Sequence, residues 1–191
     1  MKLIQTEKVT HHRHLNLFRS DYRDQKGTAK SWIFASRLEA PKIQTNDWDR
    51  PDAVVIVPWH SARQQLVLIR EYRVVLGSYQ IGFPAGLMDA GETILETARR
   101  ELFEETGLAL KQVMRCSPPV YSSSGMTDES VTLVYAECDG TPSNAANESS
   151  EDIQVFFFDA AAAGRLINDP SLKIDVKTWM ALSEFARRGS I

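Results

Sequence analysis

The first 37 residues alternate apolar and polar positions, and turn residues separate the alternating runs. Alternation with a period of two is typical of half-buried β-strands. The pattern predicts strands at residues 2–9, 14–18 and 29–36, with a turn at residues 24–27. We expect a small antiparallel sheet that packs on the rest of the chain or on a second subunit, because a ribbon of two or three strands is marginally stable alone.

Apolar runs replace this alternation after a connecting segment at residues 38–51. Residues 52–58 contain a continuous apolar run, as expected of a strand that is covered on both faces. A second such strand is predicted at residues 66–73. Further strands are predicted at residues 80–83, 112–121, 131–138 and 153–158, and helices at residues 160–167 and 175–187.

One more helix is predicted with defined ends. Thr93 and Glu96 have the spacing of a capping box, in which the two side chains satisfy backbone amides of the first turn. Gly107 is placed to end the helix in a left-handed conformation. The apolar positions on one face of this helix are Leu95, Ala98 and Leu102.

The composition is that of an ordinary globular domain, with 43% hydrophobic and 25% charged residues. A chain of 191 residues is long enough for one well-filled core and too short for two typical domains with a linker. The formal net charge of -3 gives no basic surface for nucleic acid. Because no run has the length and apolar character of a membrane span or a secretory signal, we expect a soluble cytoplasmic protein with no membrane partner.

Residues 86–108 carry the candidate chemistry. On the predicted helix Glu101 and Glu105 lie one turn apart, and Glu104 falls beside them. Such like charges destabilise a helix by roughly a few tenths of a kcal/mol per pair. A divalent cation removes this repulsion, and ligands that are all oxygen suit Mg²⁺ or Mn²⁺, which bind diphosphates. A solvated charged face is the alternative, but it leaves the spacing of the flanking residues unexplained.

This segment matches a longer pattern at every position. Gly86 is followed after five residues by Glu92, and after seven more by the run from Arg100 to Leu108, which reads Arg-Glu-Leu-Phe-Glu-Glu-Thr-Gly-Leu. The pattern resembles the Nudix box. Because so many positions are specified, the match is a specific signal.

Segments outside the box extend the resemblance to one branch of the family. Residues 69–73, 83–89 and 173–175 look like the ADP-ribose and nucleoside diphosphate sugar pyrophosphatase branch. The resemblance implies an α/β fold, the Nudix α/β/α sandwich with a mixed sheet, together with an N-terminal antiparallel sheet that builds a homodimer. We expect that sheet, for dimerisation and nucleotide capping, at residues 1–45 and the Nudix hydrolase domain at residues 46–191.

The resemblance also implies catalytic roles. Glu92 and Arg100 resemble the pair that orients and supports the metal-binding carboxylates. The general base of this branch comes from the loop before the last central strand, where Glu151 is the first candidate and Glu148 the second. The implied metal ligands are Glu101, Glu105, Glu104 and the backbone carbonyl of Ala85.

A second set of residues resembles the substrate contacts of this branch. Trp32 resembles the aromatic residue that stacks on adenine, with Arg37 beside it, although an aromatic residue of a core or subunit interface is the alternative. Arg73 matches an arginine that contacts the diphosphate or the terminal ribose, and a charged strand end is its alternative. Gly82 stands where a glutamate is common in this branch. The candidate contacts in the glycine-containing loop at residues 122–129 are Gly125, Met126 and Glu129.

The reaction implied is the attack of water on one phosphorus of a diphosphate, which releases a nucleoside monophosphate and a sugar phosphate with the help of Mg²⁺ or Mn²⁺. The expected substrate is ADP-ribose or a related nucleoside diphosphate sugar. GDP-mannose is an alternative because stacking on Trp32 does not exclude guanine. A sensor that binds ADP-ribose without catalysis is the alternative from a different class, and the intact box argues against it.

Overall fold

The computed structural model describes residues 1–147 and 151–191, and Glu148, one of the two base candidates, lies outside the described residues. The chain forms two compact units. The first comprises Met1–Asp52 and Pro118–Val131, and the second comprises Ala53–Ser117 and Thr132–Ile191. Within the described residues, no helix is long and apolar enough to cross a membrane.

The first unit contains the antiparallel sheet that the alternating pattern predicts, with the strand order β1-β2-β3. The turn before the third strand forms as expected, because the Asp24 side chain accepts from the backbone amides of Lys26 and Thr28. The middle strand begins later and runs further than the pattern predicts. The strands are β1 (Lys2–Lys8), β2 (Asn16–Arg23) and β3 (Ala29–Ser36).

The segment expected to be only a connection contains a one-turn helix, α1 (Lys42–Thr45). The side chain of Lys42 is buried, and its ammonium lies 2.8 Å from a carboxylate oxygen of Asp52. The same ammonium donates to the Ser130 hydroxyl at 2.6 Å and to the Arg50 carbonyl at 2.9 Å. A buried cation with three acceptors is fully satisfied, so Lys42 ties the helix to both segments of the first unit.

The second unit is built on a sheet with the strand order β11-β5-β4-β10-β8, in which β6 pairs with β5 and β7 with β4. The strand β9 (Val120–Tyr121) pairs with Ser130 and Val131 in the first unit. The remaining strands are β4 (Ala53–His60), β5 (Gln65–Arg73), β6 (Ser78–Gly82), β7 (Ala85–Leu87), β8 (Ala109–Cys116), β10 (Ser130–Asp139) and β11 (Ile153–Phe158).

Two strand predictions were wrong in detail. The single strand predicted at residues 112–121 is interrupted between Cys116 and Val120, because Pro118 and Pro119 have no amide hydrogen to donate to a neighbouring strand. The strand predicted at residues 80–83 is followed by a second short strand, β7, which the pattern does not predict.

The helix that carries the acidic residues, α2 (Ile94–Thr106), has the predicted ends. Thr93 and Glu96 form both hydrogen bonds of the capping box, and Gly107 ends the helix with a φ of 72°. The predicted apolar face was wrong at Leu95, which is 37% exposed, whereas Ile94 packs on the core instead. The face is therefore rotated toward the side that carries the carboxylates.

Helices pack on both faces of this sheet. Val54 and Ile56 of β4 belong to the same core cluster as Ala98 of α2. Trp59, which points to the opposite face of β4, packs edge-on against Phe185 with 5.8 Å between ring centroids. Phe185 lies on α4, one of the two C-terminal helices that the sequence predicts. Their bounds are α3 (Ala160–Leu166) and α4 (Val176–Arg188).

Candidate active site

The side chains of Glu92 and Arg100 form a bidentate ion pair. The Nε and Nη2 atoms of Arg100 donate to the two carboxylate oxygens of Glu92 at 2.8 and 2.9 Å. The amide of Asp89 and the hydroxyl of Thr97 also donate to Glu92, at 3.0 and 2.8 Å. These bonds, led by that from Arg100, lower the pKa of Glu92 to about 2. Glu92 is therefore ionised at neutral pH and anchors the arginine.

Arg100 extends from this anchor to two carboxylates of α2. Its Nη1 atom donates to Glu101 at 2.7 Å and to Glu104 at 3.0 Å. Its Nη2 atom also donates to the carbonyl of Leu87 at 3.0 Å. One guanidinium thus holds three carboxylates and the end of β7 in a fixed arrangement. The bond to Glu104 spans one turn of the helix, because Glu104 lies four residues after Arg100.

Glu101 lies directly over Gly86. A β-carbon built on Gly86 would lie 1.8 Å from the Oε1 atom of Glu101 and 1.9 Å from its carboxyl carbon. Any side chain at position 86 would therefore displace the Glu101 carboxylate. This close approach is the physical reason for a glycine at the first position of the pattern.

Glu105 is the most buried of the acidic side chains on α2. The residue is 4% exposed, and its carboxylate accepts from the amide of Ala85 at 3.0 Å. Burial raises the pKa of Glu105 well above its usual range, although the bond from Ala85 opposes this shift. Burial also raises the pKa of Glu101, against the opposing effect of Arg100. Burial therefore makes both carboxylates costly to ionise.

Glu71 of β5 belongs to this site, although it is not among the residues predicted from the sequence. Burial raises the pKa of Glu71, while its ion pair with Arg73 at 2.8 Å opposes that shift. The charge of Glu71 in turn raises the pKa of Glu105. Strand alternation places position 71 on the same face as the buried core residue Val67, and this pattern could have identified Glu71 as facing α2.

Glu151 interacts electrostatically with these glutamates. Its charge raises the pKa values of Glu71, Glu101 and Glu105. It lies two residues before Ile153 of β11, which pairs with Glu71 of β5. We call Glu71, Glu101, Glu105 and Glu151 the carboxylate cluster.

The candidate substrate residues divide between the two units. In the first unit, the indole nitrogen of Trp32 donates to the carbonyl of Gly125 at 3.1 Å. Arg37 donates to Glu129 at 3.1 Å, so β3 is tied to the loop at two points. Met126, between these points, is 71% exposed. Arg73 belongs instead to the second unit, where it pairs with Glu71 of the carboxylate cluster.

A cavity of about 610 Å³ lies in the first unit beside Trp32. Its wall includes two aromatic residues that the sequence analysis missed, Trp48 and Tyr121, whose rings meet edge to face with 6.4 Å between centroids. The indole nitrogen of Trp48 donates to Asn46 at 2.8 Å. The other apolar side chains that line the cavity are Met1, Leu3, Tyr22, Phe34 and Ile43.

The acidic residues fit a hard divalent cation. In the two ranges that the structure describes, no three His, Cys, Asp or Glu side chains are placed to hold one metal ion together. Mg²⁺ does not require such a group, because in proteins it is commonly bound by one or two carboxylates and keeps several waters. Glu101 and Glu105 supply two buried oxygen donors, and the space over Gly86 is shaped around one of them.

Comparisons with known proteins agree with this geometry. A family model described as the NUDIX domain matches residues 49–188. The ADP-sugar pyrophosphatase of Mus musculus is 30% identical over 125 residues, which cover 64% of this chain and 54% of that protein. The ADP compounds hydrolase NudE of Escherichia coli K12 is 34% identical over 124 residues, or 62% of each chain. This chain therefore spans less than two thirds of the length of either relative.

A solved structure, titled as the crystal structure of ADP compounds hydrolase, superposes with a TM-score of 0.74 and 25% identity, covering 97% of this chain and 94% of that one. This likeness confirms the predicted fold, an α/β Nudix sandwich with a mixed sheet and an N-terminal antiparallel sheet. Since the family model covers most of the chain and the box geometry is intact, the protein belongs to the Nudix family.

Proposed function

We propose that this protein is a Nudix pyrophosphatase that hydrolyses the diphosphate bond of ADP-ribose or a related nucleoside diphosphate sugar. The observation that carries the proposal is the arrangement in which Arg100, anchored by Glu92, holds Glu101 beside the buried Glu105. The names of the relatives support an ADP-containing substrate, since one is an ADP-sugar pyrophosphatase and another an ADP compounds hydrolase.

A divalent cation is part of this proposal, with Mg²⁺ as the first choice and Mn²⁺ as the alternative. When bound, the cation neutralises the charge that develops on the diphosphate and lowers the pKa of the attacking water. Glu101, Glu105, Glu104 and the carbonyl of Ala85 would hold it. Arg100 keeps the carboxylates of Glu101 and Glu104 aligned, which matters because loosely held ligands lose metal affinity.

Glu151 is our candidate for the general base that accepts the proton of the attacking water. Its charge raises the pKa of each of the other three members of the carboxylate cluster, which supports a place beside the metal ligands. Glu148 remains the second candidate for the same role.

Recognition of the nucleotide would use the side chains around the cavity of the first unit. We assign stacking on the base to Trp32, a residue that is 53% exposed and whose indole nitrogen donates to the Gly125 carbonyl. Arg37 and Glu129 hold the loop that carries Gly125 and Met126 against the stacking residue. Other substrate contacts would come from Arg73, which we assign to the diphosphate or the terminal ribose.

We also propose the division of labour implied by the family, with residues 1–45 serving dimerisation and nucleotide capping and residues 46–191 forming the hydrolase domain. The antiparallel sheet exposes Ile4 and Ile33, which are 53% and 58% accessible. Exposed apolar residues on a small sheet support burial against a second copy. Sedimentation of the purified protein tests this part, and a monomer at micromolar concentration would contradict it.

The proposed activity is tested by incubating purified protein and Mg²⁺ with ADP-ribose, GDP-mannose, UDP-glucose and NADH, each followed by product analysis. We expect a nucleoside monophosphate, with the fastest turnover for ADP-ribose. Faster turnover of GDP-mannose would change the substrate that we assign but not the reaction that we assign. Saturable binding of ADP-ribose without any product in Mg²⁺ or Mn²⁺ would indicate a sensor and contradict the proposed enzymatic activity.

A further inference from the structure

Three neighbouring strands place one row of side chains opposite the carboxylate cluster. In the sheet β5 lies between β6 and β11, and Tyr72 of β5 pairs with Tyr79 of β6. On the other side of β5, the amide of Tyr72 donates to the carbonyl of Asp152 at 3.1 Å, which extends the ladder one residue before β11. Tyr79, Tyr72 and Asp152 therefore form one row across the three strands.

A side-chain hydrogen bond closes this row. The hydroxyl of Tyr79 donates to the carboxylate of Asp152, so the side chains of β6 and of the residue before β11 meet across β5. This bond also raises the pKa of Tyr79. The phenol therefore stays protonated, as a hydrogen-bond donor must be.

The ring of Tyr79 is held from two sides. The guanidinium of Arg70 lies 3.7 Å from the ring centroid, and the ring of Tyr72 packs edge-on at 5.4 Å. Arg70 also donates to the side chain of Gln154 at 3.2 Å, which adds a second link to β11. Such contacts restrict the orientation of the phenol, so its hydroxyl is presented to Asp152 at little further entropic cost.

Strand alternation connects this bond to the other face of the sheet. Side chains of successive residues on an extended segment point to opposite faces, so Glu151 and Ile153 lie on the face opposite to Asp152. Ile153 pairs with Glu71, and the charge of Glu151 raises the pKa of Glu71. Fixing Asp152 on one face therefore fixes the backbone from which Glu151 projects on the other.

We infer that Tyr79 is a positioning residue: by holding the carboxylate of Asp152 it fixes the start of β11 and so keeps Glu151 aligned with the carboxylate cluster. The inference rests on the proposed function, in which Glu151 is the base. It assigns a role in catalysis to a side chain that lies on the face of the sheet opposite to the reaction.

The test compares Tyr79→Phe, which removes only the hydroxyl, with Tyr72→Phe as the matched control on the same face. Misplacement of a base lowers turnover more than it lowers binding, so we expect Tyr79→Phe to reduce kcat about tenfold with KM within twofold of wild type. Asp152→Ala should show the same loss. Asp152→Asn keeps an acceptor oxygen and should retain most of the activity.

A double variant separates positioning from a general structural effect. If Tyr79 acts through Glu151, then Tyr79→Phe should cause no additional loss in the Glu151→Gln background, because variants that act as one unit are not additive. An equal loss in both backgrounds would contradict the inference. So would a kcat for Tyr79→Phe within twofold of wild type.

Hydrogen exchange provides a readout that does not depend on activity. We expect faster exchange at the amides of residues 151–155 in Tyr79→Phe, by about tenfold, and unchanged exchange in Tyr72→Phe. Unchanged exchange in Tyr79→Phe would overturn the inference even if the enzyme is active. Wild-type protein that hydrolyses no diphosphate would instead overturn the proposed function, so the two failures are distinguishable.

Discussion

The carboxylate of Glu101 occupies the space that a side chain at Gly86 would need, with 1.8 Å between its Oε1 atom and the position of an added β-carbon. Gly86, which opens the Nudix box, and Glu101 on its helix are therefore one structural unit. A side chain at position 86 would displace the carboxylate of Glu101.

Gly86→Ala should displace the Glu101 carboxylate and leave the fold intact, because a side-chain rotation relieves the collision. We expect kcat/KM to fall by about 100-fold, the loss that a displacement of about 1 Å causes at a catalytic group. Gly164→Ala is the matched control, since its added β-carbon would lie 3.8 Å from that of Ala186, an ordinary contact. Steady-state kinetics of both variants decide the matter, and wild-type kinetics in Gly86→Ala would refute the steric role.

Glu92→Gln should reduce stability in a pH-dependent way. Because hydrogen bonds led by that from Arg100 lower the pKa of Glu92 from 4.5 to about 2, its ionised form stabilises the fold at neutral pH. That stabilisation is complete above about pH 5 and is lost as the pH falls toward 2. The difference in Tm between wild type and Glu92→Gln should therefore be largest near pH 7 and shrink toward pH 3. A difference that stays constant would contradict this assignment.

The buried carboxylates predict the opposite pH dependence when no metal is present. Burial raises the pKa of Glu101 and, more strongly, of Glu105, so the folded state holds protons that the unfolded state has already lost above about pH 4.5. In EDTA the Tm should therefore fall as the pH rises from 5 to 8, and Glu105→Gln should weaken this fall. If Tm fell equally with pH in both proteins, Glu105 would not be the group that causes the pH dependence.

Added Mg²⁺ should reverse that loss. A cation that binds the ionised carboxylates stabilises only the folded state, so the increase in Tm at saturating Mg²⁺ should be larger at pH 8 than at pH 5.5. Thermal denaturation with and without metal measures both increases. Glu105→Gln is expected to abolish most of the effect at pH 8, and an unchanged increase in that variant would remove Glu105 from the proposed ligands.

Trp32→Ala should weaken substrate binding more than catalysis. Stacking of an aromatic side chain on a flat ring contributes about 0.5–1.5 kcal/mol, so we expect KM for ADP-ribose to rise by up to about tenfold while kcat changes little. Trp179→Phe is a control, because this tryptophan lies on α4 with 47% exposure. Equal effects of the two variants on KM would argue for a structural role of Trp32.

Local features of the sequence predicted much of this structure. The capping box of Thr93 and Glu96 and the terminal Gly107 lie within one helix, so their spacing alone determined its ends. The alternating strands of the first unit were found for a similar reason, since each pattern is contained in a few consecutive residues. The ion pair between Arg100 and Glu104 is also predictable from the sequence, because the two residues lie one helical turn apart.

Contacts between distant segments could not be predicted from such local patterns. Alternation within β5 gives the face of Glu71, but its place beside Glu151 depends on the register of β5 against β11, which sets Glu71 opposite Ile153. Register depends on the whole sheet, and a slip of one residue would turn Glu71 to the other face. Trp48 and Tyr121 meet for a comparable reason, since a connection and a distant strand converge in the first unit.

The most direct test of the central claim is product analysis with ADP-ribose and Mg²⁺ by ³¹P NMR, for wild type and Glu105→Gln in parallel. For wild type we expect AMP and ribose 5-phosphate in equal amounts, with EDTA preventing their formation. Glu105→Gln should lose nearly all of this turnover while it still binds ADP-ribose. Intact ADP-ribose after incubation with folded, ligand-binding wild-type protein would contradict the assignment of this chain as a pyrophosphatase for such substrates.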